Sequence, residues 1–421
     1  MVQGEQIAII GTGIAGLSAA WLLGKDHHIH IFERAEKPGM GIYSLDVNSG
    51  GKNLRVDIPL RVFTPAYYPH LLKLYQQAGI DTEITNHAAA FADQHNQVFF
   101  HYGNARLGKK NLSYPKPINW LKQNRWLRLF EHRRFFNVLH GTDLHTIARD
   151  MTFADFILRE KLDTPYLRNI LLPSMATVCT CDYDDVLNYP AEILLRYLTC
   201  GVMADGVMRA TKGVDGVLKA LLEPAMALHT HARILRVIPA ANKASIEFED
   251  GSQREFDRVI IATQPHQAAA LLPELHPWQQ PLRSIPIRES RMQLHNDKRL
   301  LPKGRTLSPV SYFLPANGQR PEASVDLSKA IGQFAGAEPV LQVWNPLRPV
   351  AKEHILADVT FTRPLVTCQS REASSRLRSA QHKQERVLLS GSYLCDGIPL
   401  LDGAVEASLA VARLLCSSRA W

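Results

Sequence analysis

With 421 residues and 46% hydrophobic content, the chain exceeds one small domain and can build a sizeable core, so two domains are expected. Charged residues make up 21% and are spread along the chain, which excludes global disorder. The net charge of +8 favours anionic partners, and six cysteines without a C-x-x-C pair exclude a disulfide framework and fit reduced cytosolic thiols.

Residues 1–6 carry no basic stretch, so no export signal is expected. The next segment, "IAIIGTGIAGLSAAWLL" (7–23), is apolar but broken by three glycines, so it is not a membrane span. No other stretch is long and apolar enough for one. Residues 7–10 read as a short buried strand. Gly11, Gly13 and Gly16 then fit G-x-G-x-x-G. The first glycine permits a tight turn, the second lets backbone approach a pyrophosphate, and the third allows close helix–strand packing. Residues 17–23 continue as a helix whose positive N-terminal end faces the phosphates. A second strand, "HHIHIFER", ends in Glu33, which is placed to accept hydrogen bonds from a ribose diol. The pattern predicts dinucleotide binding. It occurs once, at the start of the chain, without a repeated β-α-β array, which favours permanently bound FAD over NAD.

Beyond Glu33 the chain reads "RAEKPGMGIYSLDV" (34–47), with Lys37, Gly39, Met40 and Gly41 closely spaced. "RVDIPLRVFTPAYYPHLLKLYQQAGI" follows at 55–80. Positive charge is densest in "INWLKQNRWLRLFEHRRFFNVLHG" (118–141). There Trp120, Trp126, Leu127, Phe130, Phe135 and Phe136 interleave with Lys122, Arg125, Arg128, Arg133 and Arg134. Such a segment suits either a helix lying in a membrane interface or an amphipathic helix packed on the protein with a solvated basic face. "TPYLRNILLPSMATV" and "AEILLRYLTC" have helical periodicity, whereas "SPVSYFL" and "PVLQVWNP" read as strands. Residues 231–272 read as paired strands with a turn at Asp250-Gly251, then a buried strand ending before Thr263. The stretch 315–340 reads as loop with a short helix.

These segments resemble the flavin-containing amine oxidase superfamily over nearly the whole chain. "KPGMG" is similar to its extended R-x-G-G fingerprint, with Met40 in place of the second glycine and Gly41 beside it. Residues 231–272 resemble its strand pair and return strand. Residues 388–415 resemble its closing motif, matched by Gly391, Asp402, Gly403, Ala404 and Val405, with Ser408 where many members have glycine. A subgroup of bacterial and fungal FAD/NAD(P)-binding amine-oxidase-like proteins is resembled in "RVDIP", "LHND", "VWNP" and "TRPLVT", with Pro59 and Asn296 as departures.

The resemblance implies an α/β protein. Its Rossmann-like FAD-binding domain, of the p-hydroxybenzoate-hydroxylase/amine-oxidase type, would span 1–65, 211–272 and 381–421. A discontinuous α+β substrate domain would span 66–210 and 273–380. Non-covalent FAD would be held by Gly11, Gly13, Ala15, Gly16, Glu33, Arg34, Gly39, Gly41, Arg61, Ile234, Thr263, Gly391, Asp402, Gly403 and Ala404. The implied activity is FAD-dependent oxidation of a C–H bond by hydride transfer, as in amine oxidation or desaturation.

His295 and Asp297 could form an acid/base or orienting pair on one strand face, or a strand-end pair bonded to backbone. Arg61 could meet a phosphate, a substrate carboxylate or an interdomain carboxylate. Tyr393 stands where several amine oxidases carry an acidic ribityl ligand, and could instead stack near the flavin. Asn345 before Pro346 reads as a turn former. The lysine that many amine oxidases place near the flavin cannot be located, which counts against ordinary amine oxidation. The expected partner is a small, hydrophobic, lipid-like molecule, with membrane contact through 118–141 as a further expectation. A soluble amine or amino acid, a non-catalytic flavin- or lipid-binding role, and a nicotinamide-only dehydrogenase are the alternatives. No metal site and no nucleic acid are expected, and the location is cytoplasmic or peripheral at the membrane.

Overall fold

The first apolar run forms the strand Gln6–Ile10, the middle member of a five-stranded sheet. Across that sheet the order is Ala227–His229, His28–Phe32, Gln6–Ile10, Arg258–Ile261 and Val387–Leu389, all parallel. The computed structural model describes residues 4–41, 43–107, 110–120, 125–200, 206–303 and 308–421. Parallel strands are covered on both faces, and these are. Ile7 and Ile9 pack with the helices Ile14–Leu23 and Leu401–Leu414. Ala8 and Ile10 face the other way, against Val237, Ile246 and the helix Pro265–Leu271. The helix Ile14–Leu23 is buried at every position, as a helix apolar all round must be.

Close packing of the two covering helices rests on serine. The Ser408 hydroxyl donates to the Ala15 carbonyl at 2.7 Å and lies 2.8 Å from the Ser18 hydroxyl and 2.9 Å from that of Ser390. Ser408 is therefore satisfied within a helix–helix contact. Its replacement of glycine costs the fold no open hydrogen bond.

The second sheet has eight strands. In order they are Ile355–Pro364, Ile287–His295, Leu341–Trp344, Glu322–Asp326, Val310–Phe313, Ala89–Ala92, Val98–Leu107 and Lys110–Pro115. Its pairings are antiparallel except between Val310–Phe313 and Ala89–Ala92. Helices Phe153–Arg159, Leu172–Cys179 and Ala191–Cys200 close an aromatic core with it around Phe91, Phe100, Tyr166 and Tyr189. Glu322–Asp326 corrects the loop expected across 315–340. Its alternation is hidden because the strand buries carboxylates: Glu322 is neutralised by Arg348 at 2.8 Å, and Asp326 receives Ser328 and Lys329.

The basic segment forms the helix Arg125–Gly141. Residues 121–124, with Lys122, and the side chains of Trp120 and Arg125 lie outside the described residues. Phe135 is buried, whereas Trp126, Leu127 and Phe130 are 45%, 43% and 66% exposed. Among the described residues no helix is long and apolar enough to cross a membrane. The six cysteines are unpaired.

Candidate functional site

Each of the three glycines meets a different steric demand. Gly11 has φ +105°, and a Cβ there would meet the Ala262 carbonyl oxygen at 2.9 Å. A Cβ on Gly16 would come 1.9 Å from the Gly11 carbonyl oxygen. A Cβ on Gly13 would meet nothing within 4 Å, and Gly13 is the N-cap of the helix Ile14–Leu23. The outer two glycines serve internal packing; the middle one leaves open space at a helix N-terminus, where backbone N–H groups attract an anion.

Thr12 links this turn to the next strand. Its N–H donates to Glu33 Oε2 at 3.0 Å, and its hydroxyl donates to the same oxygen. Ala35 N–H donates to Glu33 Oε1 at 2.8 Å. The carboxylate is thus fixed beside the glycine turn, and its remaining lone pairs can still accept hydrogen bonds. Met40 N–H donates to the Thr12 carbonyl at 3.0 Å. Met40 and Gly41 have φ of 55° and 65°, so methionine takes a backbone shape that favours glycine and the path of the turn survives. Gly39 is half-buried beside it and Arg34 is exposed. The Thr263 methyl lies 3.4 Å from the Cβ position of Gly11. Ile234 starts the three-stranded sheet, half-buried against the core that holds Phe32.

The helix Leu401–Leu414 brings a second N-terminus to the same side. Ser408 lies against Ala15, so the helix start at Leu401 extends two turns, roughly 10 Å, beyond the glycine turn. Asp402 Oδ1 accepts the Leu71 N–H at 2.8 Å, and burial pushes its carboxyl up to about 6 against that bond and His70. Its carboxylate therefore caps the helix Pro69–Gln77, leaving backbone at Gly403 and Ala404 as the groups at this end. A Cβ on Gly403 would lie 2.6 Å from Cys395 Sγ, and one on Gly391 would strike the Tyr393 ring at 2.5 Å.

The three expected catalytic side chains do not converge. The strand ends at His295, whose Nδ1 accepts the Asp297 N–H at 3.2 Å. Asp297 lies past the strand, caps a turn at Arg299 N–H and binds the Arg299 guanidinium at 2.6 Å, which holds its carboxyl at about 2. The acid/base pair on one strand face is thereby corrected to a strand-end cap: the period of two applies only while the chain stays extended. Tyr393 lines a small cavity of about 10 Å³, whose lining includes Arg371 and Cys395 but no residue of the glycine turn. Burial raises its phenol well above the ordinary range.

Arg61, Tyr67, His87, Tyr312, Arg363 and Cys395 are half-buried, and burial disfavours the charged form of each. Burial pushes His87 down to about 4 and the Cys395 thiol up to about 12, so both are neutral. Tyr67 packs edge-on against Tyr197 at 4.8 Å, and Tyr312 stacks on Phe91 at 4.6 Å. His87, Tyr312, Cys395 and Arg363 escaped the sequence reading as site residues. Arg363 lies inside the quoted "TRPLVT", Tyr312 inside "SPVSYFL" and Cys395 inside 388–415, but no spacing singled them out. Among the described residues no lysine is buried.

Residues 9–78 match the model of an NAD(P)-binding Rossmann-like domain. Curated protein sequences give no match. Solved structures match from end to end. A candidate protoporphyrinogen oxidase from Exiguobacterium sp. 255-15 aligns over 99% of both chains with a TM-score of 0.68 and 14% identity. A CLA-producing fatty acid isomerase from P. acnes aligns over 99% of both chains at 0.67 and 14% identity. A putrescine oxidase redesigned in its cofactor binding aligns over 98% of both chains at 0.65 and 14% identity. This chain has their fold. The glycine turn thus lies inside a recognised Rossmann-like unit, and the large sheet belongs to the same shared architecture.

Proposed function

We propose that the chain is an FAD-dependent oxidoreductase of the amine-oxidase-like superfamily, acting on an apolar, lipid-like substrate. The observation that carries this reading is the pair of helix N-termini on one side of the molecule. One opens at Gly13 and the other starts two turns further on at Leu401. A dinucleotide with its phosphates at the first and its ring at the second suits that spacing. Bound there, FAD supplies the two-electron acceptor for a hydride from a substrate C–H bond.

The protein's own contribution is placement. Gly13 and the following N–H groups would receive phosphate, and Glu33 is positioned for a ribose hydroxyl. Gly403 and Ala404 present backbone dipoles to the ring end. Tyr67, Tyr312 and neutral His87 are uncharged groups removed from water, which suits a site that excludes water from the reacting bond. The absence of a buried lysine among the described residues favours an apolar substrate over a soluble amine.

The visible spectrum of the purified protein tests the cofactor, and anaerobic addition of lipids and amines tests the substrate. We expect a flavin spectrum, released on denaturation and bleached by a lipid-like compound. Bleaching by a soluble amine alone would overturn the substrate class. A colourless protein that FAD does not reconstitute would overturn the reading.

A second reading concerns delivery of the substrate from a membrane surface. It is favoured by exposed Trp126, Leu127 and Phe130 beside exposed Arg133 and Arg134, with Leu158 of the neighbouring helix 79% exposed. Co-sedimentation with phosphatidylglycerol liposomes at low salt, and not with phosphatidylcholine liposomes, is the expected outcome.

A further inference from the structure

The most deeply buried arginines in this protein are neutralised. Arg209 meets Glu83 at 2.7 Å, Arg258 meets Glu5 at 2.7 Å, and Arg371 meets Asp396 at 2.6 Å and Glu192 at 2.7 Å. Arg348 meets Glu322 at 2.5 Å. Arg61 and Arg363 are half-buried, and among the described residues neither has an ion pair. The Arg61 Nε is buried without a hydrogen-bond partner.

Their surroundings offer no free carboxylate. Arg61 is near Arg363, Tyr68, Tyr75 and Asp57; Arg363 is near Tyr68, Tyr189 and Cys179. Asp57 is the one acid in that set, and its oxygens are occupied by the Ser44 hydroxyl at 2.7 Å and the Val214 N–H at 3.0 Å. Burial, aided by the like charge of Arg363, pushes Arg61 down to about 9, so it remains charged at neutral pH. Two like charges held together away from water are costly unless an anion joins them.

The arrangement is braced rather than incidental. Leu60 N–H donates to Gln342 Oε1 at 2.7 Å, and Gln342 Nε2 donates to the Asp57 carbonyl at 2.9 Å. The backbone on either side of Pro59 is thereby pinned to the large sheet, and Arg61 with it. The Arg363 guanidinium lies over the Trp344 ring at 5.8 Å, which fixes its plane. Planar guanidinium groups match a carboxylate bidentately, and the neighbouring rings continue as apolar surface.

We propose that Arg61 and Arg363 are the seat of a substrate carboxylate, so that the molecule taken by this site is an apolar acid rather than an amine. This deepens the function proposed above and rests on it for the chemistry, but not for the binding. The same oxyanion chemistry could come from a cofactor phosphate, and the test separates the two.

Decanoate, decan-1-ol and decylamine are titrated calorimetrically into the protein as purified and into Arg61→Gln and Arg363→Gln, with flavin content measured in parallel. Decanoate is expected to bind, decylamine not. Each substitution should weaken decanoate by roughly 10- to 100-fold while decan-1-ol is unchanged. Flavin content should be equal in all three proteins. Without ligand, Arg61→Gln should raise the melting temperature, because it removes an uncompensated charge; a structural arginine would lower it. Arg61→Lys and Arg363→Lys, which keep the charge, cover the case of a glutamine variant that fails to fold and should retain part of the decanoate affinity. Decanoate binding no tighter than decan-1-ol, or glutamine variants that bind it as well as the parent, would overturn the proposal. Loss of flavin in step with loss of decanoate would assign the pair to a cofactor phosphate and overturn it as well. A protein without flavin that still selects decanoate would sink the oxidoreductase reading and leave the carboxylate seat standing.

Discussion

At the glycine turn, recognition is left to the backbone: open space over Gly13, helix N–H groups, and one carboxylate fixed by its neighbours. At the large sheet it is left to side-chain charge, with Arg61 and Arg363 brought together from opposite ends of the chain and given no acid of their own. The first kind of site costs the fold little, because glycine and peptide dipoles are stable without a ligand. The second stores unfavourable electrostatics that a ligand relieves. Stability and binding should therefore move together when the first site's internal glycines change, and in opposite directions when the second site's arginines change.

The largest effect that could break this comparison is at Gly16. Gly16→Val forces a Cβ to within 1.9 Å of the Gly11 carbonyl oxygen, so a loss of order 3 kcal/mol or more is expected, read as low soluble yield and a collapsed melting temperature. Gly13→Val places its side chain where nothing lies within 4 Å. Its melting temperature without cofactor should stay near the parent's, within about 0.5 kcal/mol, while FAD affinity falls at least about tenfold. Equal melting losses in the two variants would show that the turn is purely structural.

A smaller effect is expected where the two covering helices cross. Ser408→Ala removes the bonds to the Ala15 carbonyl and to the Ser18 and Ser390 hydroxyls, at a cost of about 1–3 kcal/mol in chemical denaturation with flavin content unchanged. Flavin loss at unchanged stability would place Ser408 on the cofactor path instead. An effect spread over pH is expected at Asp402. Its carboxyl rises from 3.8 to about 6 on folding, so the folded state holds the proton more tightly. That contribution to stability is full below about pH 4 and is lost as the pH rises through about 6, with a slope of at most about 1.4 kcal/mol per pH unit. Asp402→Asn should flatten this part of the stability profile; an unchanged profile would mean that the Leu71 cap does not titrate.

Local chemistry made the nucleotide side legible. Strand, glycine turn, helix and second strand lie within about thirty consecutive residues, and the steric demand on each glycine is set by neighbours close in sequence or by the one returning strand. The return strand Arg258–Ile261 and the helix Leu401–Leu414 were also legible as elements, because each is a continuous apolar or helical pattern. Of the two readings of His295 and Asp297, the structure shows the strand-end pair bonded to backbone, because their spacing is that of a strand only as long as the strand continues, and it stops at His295. Glu322–Asp326 was missed because buried carboxylates mask a strand until their partners are known, and Arg348 lies in a different loop.

The sequence by itself determined that this chain closes a Rossmann-like unit around a glycine turn and returns to it at its end, since those signals are short-range and repeat the period of the element that carries them. It could not determine which ionisable residues keep a charge without a partner. An arginine reads the same whether it ends in water, on a glutamate or in an internal space, and only packing between segments 302 positions apart makes Arg61 and Arg363 neighbours. That juxtaposition is a property of the tertiary structure, because burial and the exclusion of water arise only when both sheets are in place.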